Sequence, residues 1–131
     1  MVKLLIVEDD ERIRRLIKSI VADLADEIFE CQDGIDAKAS YARHQPDWVL
    51  MDLVMPKIDG ITAIRQIRES YSDAKIIVVT SYKSAVMRQE AEQAGAFAYI
   101  LKENLLDLRN LLTADQTQGD DEFIGFEDKN C

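Results

Sequence analysis

The sequence predicts an α/β fold in which a parallel sheet of five strands carries helices on both faces. Three observations predict it. Short runs of branched apolar residues recur five times, between breakers rather than in alternation with polar residues, as strands buried on both faces require. Stretches with apolar residues at helical spacing separate those runs. Turn residues mark each change, among them Asp33-Gly34, Pro46-Asp47, Met55-Pro56, Asp59-Gly60 and Gly95. Strand–helix alternation of this kind gives a parallel sheet joined by right-handed crossovers.

Val2 to Val7 reads as the first strand, stopped by Glu8-Asp9-Asp10-Glu11. Ile13, Leu16, Ile17, Ile20, Val21 and Leu24 then recur at helical spacing, with acids at the N-terminus that suit the helix dipole. Ile28 to Cys31 is a second short strand, and residues 35–44 carry a weaker, Ala-rich helical pattern. The central strand, Trp48 to Asp52, is framed by Pro46 and Pro56. Asp59 is placed to cap a third helix bearing Ile61, Ile64 and Ile67. Lys75 to Thr80 holds the fourth strand, and a helix from about Ser84 to Ala94 ends on Gly95 as its C-terminal cap. Phe97 to Leu101 is the fifth strand, and Leu105, Leu108, Leu111 and Leu112 mark a fifth helix. Five such strands suit the flavodoxin-like order 2-1-3-4-5, with the switch point between strands one and three.

The chain has 131 residues, enough for one domain, and is 47% hydrophobic and 31% charged. A net charge of -9 argues against direct nucleic-acid binding and against an anionic membrane surface. No apolar run is long enough to cross a bilayer and no signal-peptide pattern fits. Cys31 and Cys131 form neither a disulfide framework nor a metal-ligand spacing, which suits a reducing, cytoplasmic setting. The composition changes after residue 113. Residues 113–131 hold six acids against Lys129, which is more than half of the net charge. We therefore divide the chain into a domain over 1–113 and an acidic tail or linker start over 114–131. Composition favours disorder there, but Phe123, Ile124 and Phe126 among the acids suggest a docked segment.

The predicted topology brings strand ends together, and with them Glu8, Asp9 and Asp52; Thr80 and Lys102 end the next two strands on the same edge. Three carboxylates in one pocket repel each other unless a cation joins them. Mg2+ prefers oxygen ligands and few carboxylates, so Glu8 and Asp9 suit it. Asp52 can ligate through one oxygen and leave the other as a nucleophile toward a phosphoryl group. Lys102 adds positive charge and Thr80 a neutral donor. Each residue also has a plain reading. The acids could be a solvated helix start, Thr80 a cap for helix four, Lys102 a surface lysine, and Tyr99 a half-exposed strand aromatic. His44 and Cys31 read as structural, and Trp48 sits too far before Asp52 to touch the site.

Across about residues 2 to 113 the chain resembles the receiver domain of two-component response regulators. The resemblance is carried by Leu5-Ile6-Val7-Glu8-Asp9-Asp10, Asp33-Gly34 with Ala37, Pro46-Asp47 leading into Met51-Asp52, Met55-Pro56, Asp59-Gly60, Val79-Thr80-Ser81, Ala94-Gly95-Ala96 and Tyr99-Ile100-Leu101-Lys102. It implies that Asp52 is the phosphoacceptor, supplied by a histidine kinase or phosphotransferase. It implies that Glu8, Asp9, Asp52 and the Val54 backbone carbonyl hold Mg2+. It also implies that Thr80 and Lys102 contact the phosphoryl group, and that Tyr99 couples Thr80 to a surface of helix four, strand five and helix five. Such a domain is a phosphoacceptor rather than an enzyme. It would act on a partner protein, on an output domain, or by phosphorylation-dependent homodimerisation. One departure stands out: many receivers have Pro after the lysine, and Glu103 stands here.

Three other readings define the alternatives. The chain could be the receiver of a longer DNA-binding regulator. A phosphatase of the haloacid dehalogenase kind also uses an Asp nucleophile with Mg2+, but carries a second acid where Val54 stands. A flavodoxin would need a phosphate loop where Glu8-Asp9-Asp10 would repel the phosphate.

Overall fold

The computed structural model describes residues 2–113 and 123–125, the last two by their backbone. The elements run β1 (Lys3–Val7), α1 (Glu11–Val21), β2 (Glu27–Cys31), α2 (Ala37–His44), β3 (Trp48–Met51), α3 (Gly60–Ser70), β4 (Ile76–Thr80), α4 (Ala85–Ala94), β5 (Ala98–Leu101), a 3-10 turn (Lys102–Asn104), α5 (Asp107–Thr113) and β6 (Ile124–Gly125). The sheet order is β2-β1-β3-β4-β5-β6 and all pairs are parallel. The expected 2-1-3-4-5 order is therefore present, and a sixth strand from the C-terminal segment extends it. The proposed tail boundary thus leaves outside the domain a segment that pairs with its sheet.

The five buried strand runs have the two-faced character their composition implied. Leu5, Val7, Val49, Met51, Val78 and Tyr99 face a layer with Ala63, Ile64, Ile67, Ala91 and Ala94 from α3 and α4. Leu4, Ile6, Leu50, Ile77, Val79 and Ile100 face the other layer, with Ile17 and Val21 of α1 and Leu108 and Leu111 of α5. Each fully buried Leu, Ile or Val stabilises the fold by about 1.5–3 kcal/mol. Register follows from the period of two, since a slip of one residue would exchange these layers.

Helix ends obey local chemistry. Asp10 caps α1 by accepting from the Arg12 N–H at 2.8 Å, so α1 starts before Ile13 and ends at Val21, leaving Leu24 beyond it. Asp59 caps α3 through the Thr62 N–H at 2.8 Å, as expected. Ser84, not Thr80, caps α4, accepting from the Met87 N–H at 3.1 Å. Gly95 ends α4 at φ 109°, the left-handed region where a side chain is strained. α2 starts only at Ala37, with Ile35 exposed. Among the described residues no peptide bond is cis, and the one between Lys102 and Glu103 lies within the 3-10 turn. Cys31 is buried with its sulfur 2.8 Å from Ser40 Oγ; His44 stacks on Phe29 and Trp48 packs edge-on to Phe97. Cys131 and Phe126 lie outside the described residues.

One glycine connects fold to site. The Gly60 N–H donates to the Leu53 carbonyl at 2.9 Å, and a Cβ at position 60 would stand 2.2 Å from the Asp52 carbonyl oxygen and 2.8 Å from Leu53 Cα. Those atoms are backbone and cannot turn aside. Gly60→Ala is expected to destabilise the chain by about 1–3 kcal/mol, the usual range for overpacking, read by urea unfolding at constant m-value.

Candidate functional site

The parallel register aligns the strand ends. Val7, Met51, Val78 and Tyr99 stand in one row across β1, β3, β4 and β5. Glu8 and Asp52 each follow that row by one residue, Thr80 by two and Lys102 by three. Backbone bonds continue the ladder past the strands: the Glu8 N–H donates to the Cys31 carbonyl and the Asp52 N–H to the Val7 carbonyl, both at 3.0 Å. The carboxylates are thus held at the carboxyl edge, at the β1/β3 switch point.

Glu8, Asp9 and Asp52 each offer an oxygen, and these oxygens lie within 4.8 Å of one another. Glu8 and Asp52 are buried at 2% and 5% exposure, whereas Asp9 is exposed at the mouth. Lys102 reaches in from the start of the 3-10 turn, with Nζ 3.0 Å from Glu8 Oε1 and 3.6 Å from Asp52 Oδ1. Asp52 Oδ1 also accepts from the Leu53 N–H at 2.9 Å, and Glu8 Oε2 from the Asp10 N–H at 3.2 Å. Glu8 Oε1 is fully buried and faces the Lys102 ammonium at 3.0 Å, with no further hydrogen-bond partner among the described residues. A buried carboxylate oxygen with unused capacity, in an all-oxygen set beside two further carboxylates, fits a hard divalent cation. Val54, the fourth ligand that the resemblance implied, lies half-exposed in the loop after Asp52.

Thr80 is fully buried, and its hydroxyl accepts from the Tyr82 N–H at 3.3 Å. Tyr99 is not the half-exposed aromatic of its plain reading. Its side chain is buried, turned inward, and its hydroxyl donates to the Tyr82 carbonyl at 2.5 Å. Glu8, Asp9, Asp52 and Lys102 therefore meet at one edge, where Thr80 also ends its strand, and Thr80 and Tyr99 are joined through Tyr82.

Two contributors were missed. Tyr82 acts through its backbone, which no sequence pattern reports. Arg14 is nearly buried; its Nη1 donates to the Glu8 carbonyl at 2.7 Å and its Nε to Glu30 Oε1 at 3.0 Å. A signal for Arg14 existed: positions 14, 17 and 21 form the buried stripe of α1, and an Arg in line with Ile17 and Val21 needs a polar partner inside.

Burial, and next the Asp52 charge, push the Glu8 carboxyl up from its ordinary value to about 7 against the pull of Lys102. Burial likewise raises Asp52, and Lys102 and the Leu53 N–H oppose it. Burial works against the Lys102 charge, but hydrogen bonding to Glu8 and the charge of Asp52 outweigh it and raise its pKa. Between about pH 4.5 and 7 the folded chain keeps protons on acids that the unfolded chain has released, so stability falls as pH rises through that window. In chelator, the unfolding temperature should drop from about pH 5 to about pH 8, and Glu8→Gln should remove most of the drop. Added Mg2+ should raise the unfolding temperature more at the higher pH, because it binds the ionised carboxylates. Differential scanning calorimetry checks both.

Among the described residues no helix is long and apolar enough to cross a membrane. The family model for the response regulator receiver domain matches residues 4–114. The chemotaxis protein CheY of Bacillus subtilis strain 168 is 38% identical over 101 residues, 76% of this chain and 84% of that protein. The regulatory protein AtoC of Escherichia coli K12 is 34% identical over 110 residues, 84% of this chain but 24% of that protein, so only a part of AtoC is comparable. Among solved structures, the Thermotoga maritima response regulator TrrA in complex with Mg2+-BeF superposes with a TM-score of 0.77 at 31% identity, covering 86% of this chain and 96% of that one. These matches are to response regulators, not to a phosphatase or a flavodoxin. A family model that spans nearly all of the described domain and a relative 38% identical over 84% of its own length show that the chain belongs to the response regulator receiver domain family of two-component signalling.

Proposed function

We propose that this receiver domain is switched by Mg2+-dependent phosphorylation of Asp52. The observation that carries the reading is the convergence of Glu8, Asp9 and Asp52 around Lys102 at one buried strand edge. Glu8, Asp9, Asp52 and the Val54 carbonyl would hold Mg2+, which when bound supplies charge neutralisation for the phosphoryl oxygens. The Asp52 oxygen not held by Leu53 attacks phosphorus in line. A new O–P bond forms as the donor's P–N or P–O bond breaks, and the leaving group keeps the electron pair. Lys102 trades part of its pairing with Glu8 and Asp52 for the phosphoryl group, and the Thr80 hydroxyl donates to it.

The phosphorylated aspartate carries more charge and more acceptor oxygens than the carboxylate. Drawing Thr80 toward it moves the Tyr82 N–H that Thr80 accepts from, and with it the carbonyl that holds the Tyr99 hydroxyl. Tyr99 already sits inward, so the switch biases an existing arrangement rather than creating one. The surface of α4, β5 and α5 reports that bias to a partner. The donor is a histidine kinase or phosphotransferase in the cytoplasm. The responder is a protein partner, an output domain in a longer chain, or a second receiver.

Acetyl phosphate with Mg2+ should add one phosphoryl group by intact mass; Asp52→Asn or chelator should abolish the gain. A magnesium-dependent gain that persists in Asp52→Asn would sink the assignment. Lys102→Met should slow labelling by about tenfold or more, consistent with loss of one preorganised charge contact. Tyr99→Ala should leave labelling intact and blunt the partner's response to it.

A further inference from the structure

We propose that residues Phe123–Gly125 are a built-in ligand of the β5 edge, a short latch that a partner must displace with an extended apolar segment of its own. Ile124 pairs in parallel with Ala98, and Gly125 with Tyr99. Phe123 is half-buried against the core layer that contains Ala91, Ala94, Ala96 and Tyr99. It also lines a cavity of about 590 Å3 with Arg68, Lys75, Glu92, Gly95 and Phe97, at the end of the sheet opposite the carboxylates.

The edges of the sheet explain why a cover is needed. β2 blunts its own edge with Glu27 and Glu30, both exposed. β5 reads Ala98-Tyr99-Ile100-Leu101, buried throughout and without a charge. An uncovered edge of that composition pairs with whatever strand is near. The chain fills it with its own segment, in the shortest pairing of the sheet. A competitor would enter by β-augmentation. It would bring a large apolar residue to the Phe123 position and a small one opposite Tyr99.

Tyr99 ties the latch to the site. Its backbone pairs with Gly125, its ring shares a core layer with Phe123, and its hydroxyl is held by the residue that Thr80 accepts from. The coupling rests on the proposed phosphorylation of Asp52; the latch itself does not.

The test uses the full chain and a fluorescent peptide of residues 119–130. Wild type should exclude the peptide. Phe123→Asp should bind it at least tenfold more tightly and exchange the amides of residues 98–100 at least tenfold faster, while Phe123→Leu behaves as wild type. Equal exclusion and equal exchange in Phe123→Asp and wild type overturn the latch. A wild-type dimer in sedimentation that Phe123→Asp abolishes overturns the seating within one chain. Acetyl phosphate should raise peptide uptake by wild type several-fold. Labelling of Asp52 with no change in uptake overturns the coupling. Failure of Asp52 to label overturns the functional reading and leaves the latch results standing.

Discussion

The structure depends on holding two acids where neither would choose to be. Glu8 and Asp52 are buried beside each other, and the parallel register of β1 and β3 gives them no way to separate. Lys102 offsets part of the cost, but burial first and the Asp52 charge second still push the Glu8 carboxyl up. Three acids gathered this closely favour a divalent cation, and the proposed phosphorylation of Asp52 would draw on the charge it brings. Arg14 adds a further constraint, pinning the Glu8 backbone so that the side chain cannot relax outward by moving its strand end.

That rigidity is confined to one part of the edge. The Glu8 and Asp52 backbones are tied into the sheet ladder, and Gly60 closes tightly against the Asp52 carbonyl. On the other side of the edge, the link from Thr80 to Tyr99 runs through two hydrogen bonds to one exposed residue, Tyr82. A fixed acid beside an adjustable hydrogen-bonded link is the arrangement that the proposed switch would need, since a change of charge at the first can then bias the second without deforming the sheet.

Much of this was legible in the sequence, for physical reasons. A strand buried on both faces has to be an apolar run, so its end is marked by the first polar residue; Glu8, Asp52, Thr80 and Lys102 are such residues. Asp59 and Gly95 were readable as caps because capping depends on one side chain or one backbone angle. What escaped depends on partners distant in sequence. Arg14 resembles the other basic residues of α1 until Glu8 and Glu30 close around it. Tyr99 resembles a surface aromatic until α4 covers it. That Phe123 anchors a docked segment was readable from its place among acids, but that the segment docks as a strand was not, because two residues give too short a signal until the β5 edge supplies the other half of the pairing.

The size of the latch suits its place. Moving a two-state equilibrium from about one in ten to nine in ten takes a factor of roughly eighty, or about 2.7 kcal/mol at 1.4 kcal/mol per tenfold. Fully burying a Phe stabilises by about 1.5–3 kcal/mol and each net hydrogen bond by about 1 kcal/mol, from which ordering the segment subtracts. A half-buried Phe123 with two residue pairs is thus the smallest strand attachment in the sheet, and the one that a rearranged contact at Tyr99 can most readily release. β1, with five residue pairs to β2, is tied far more firmly than this segment, which holds by two pairs and one ring.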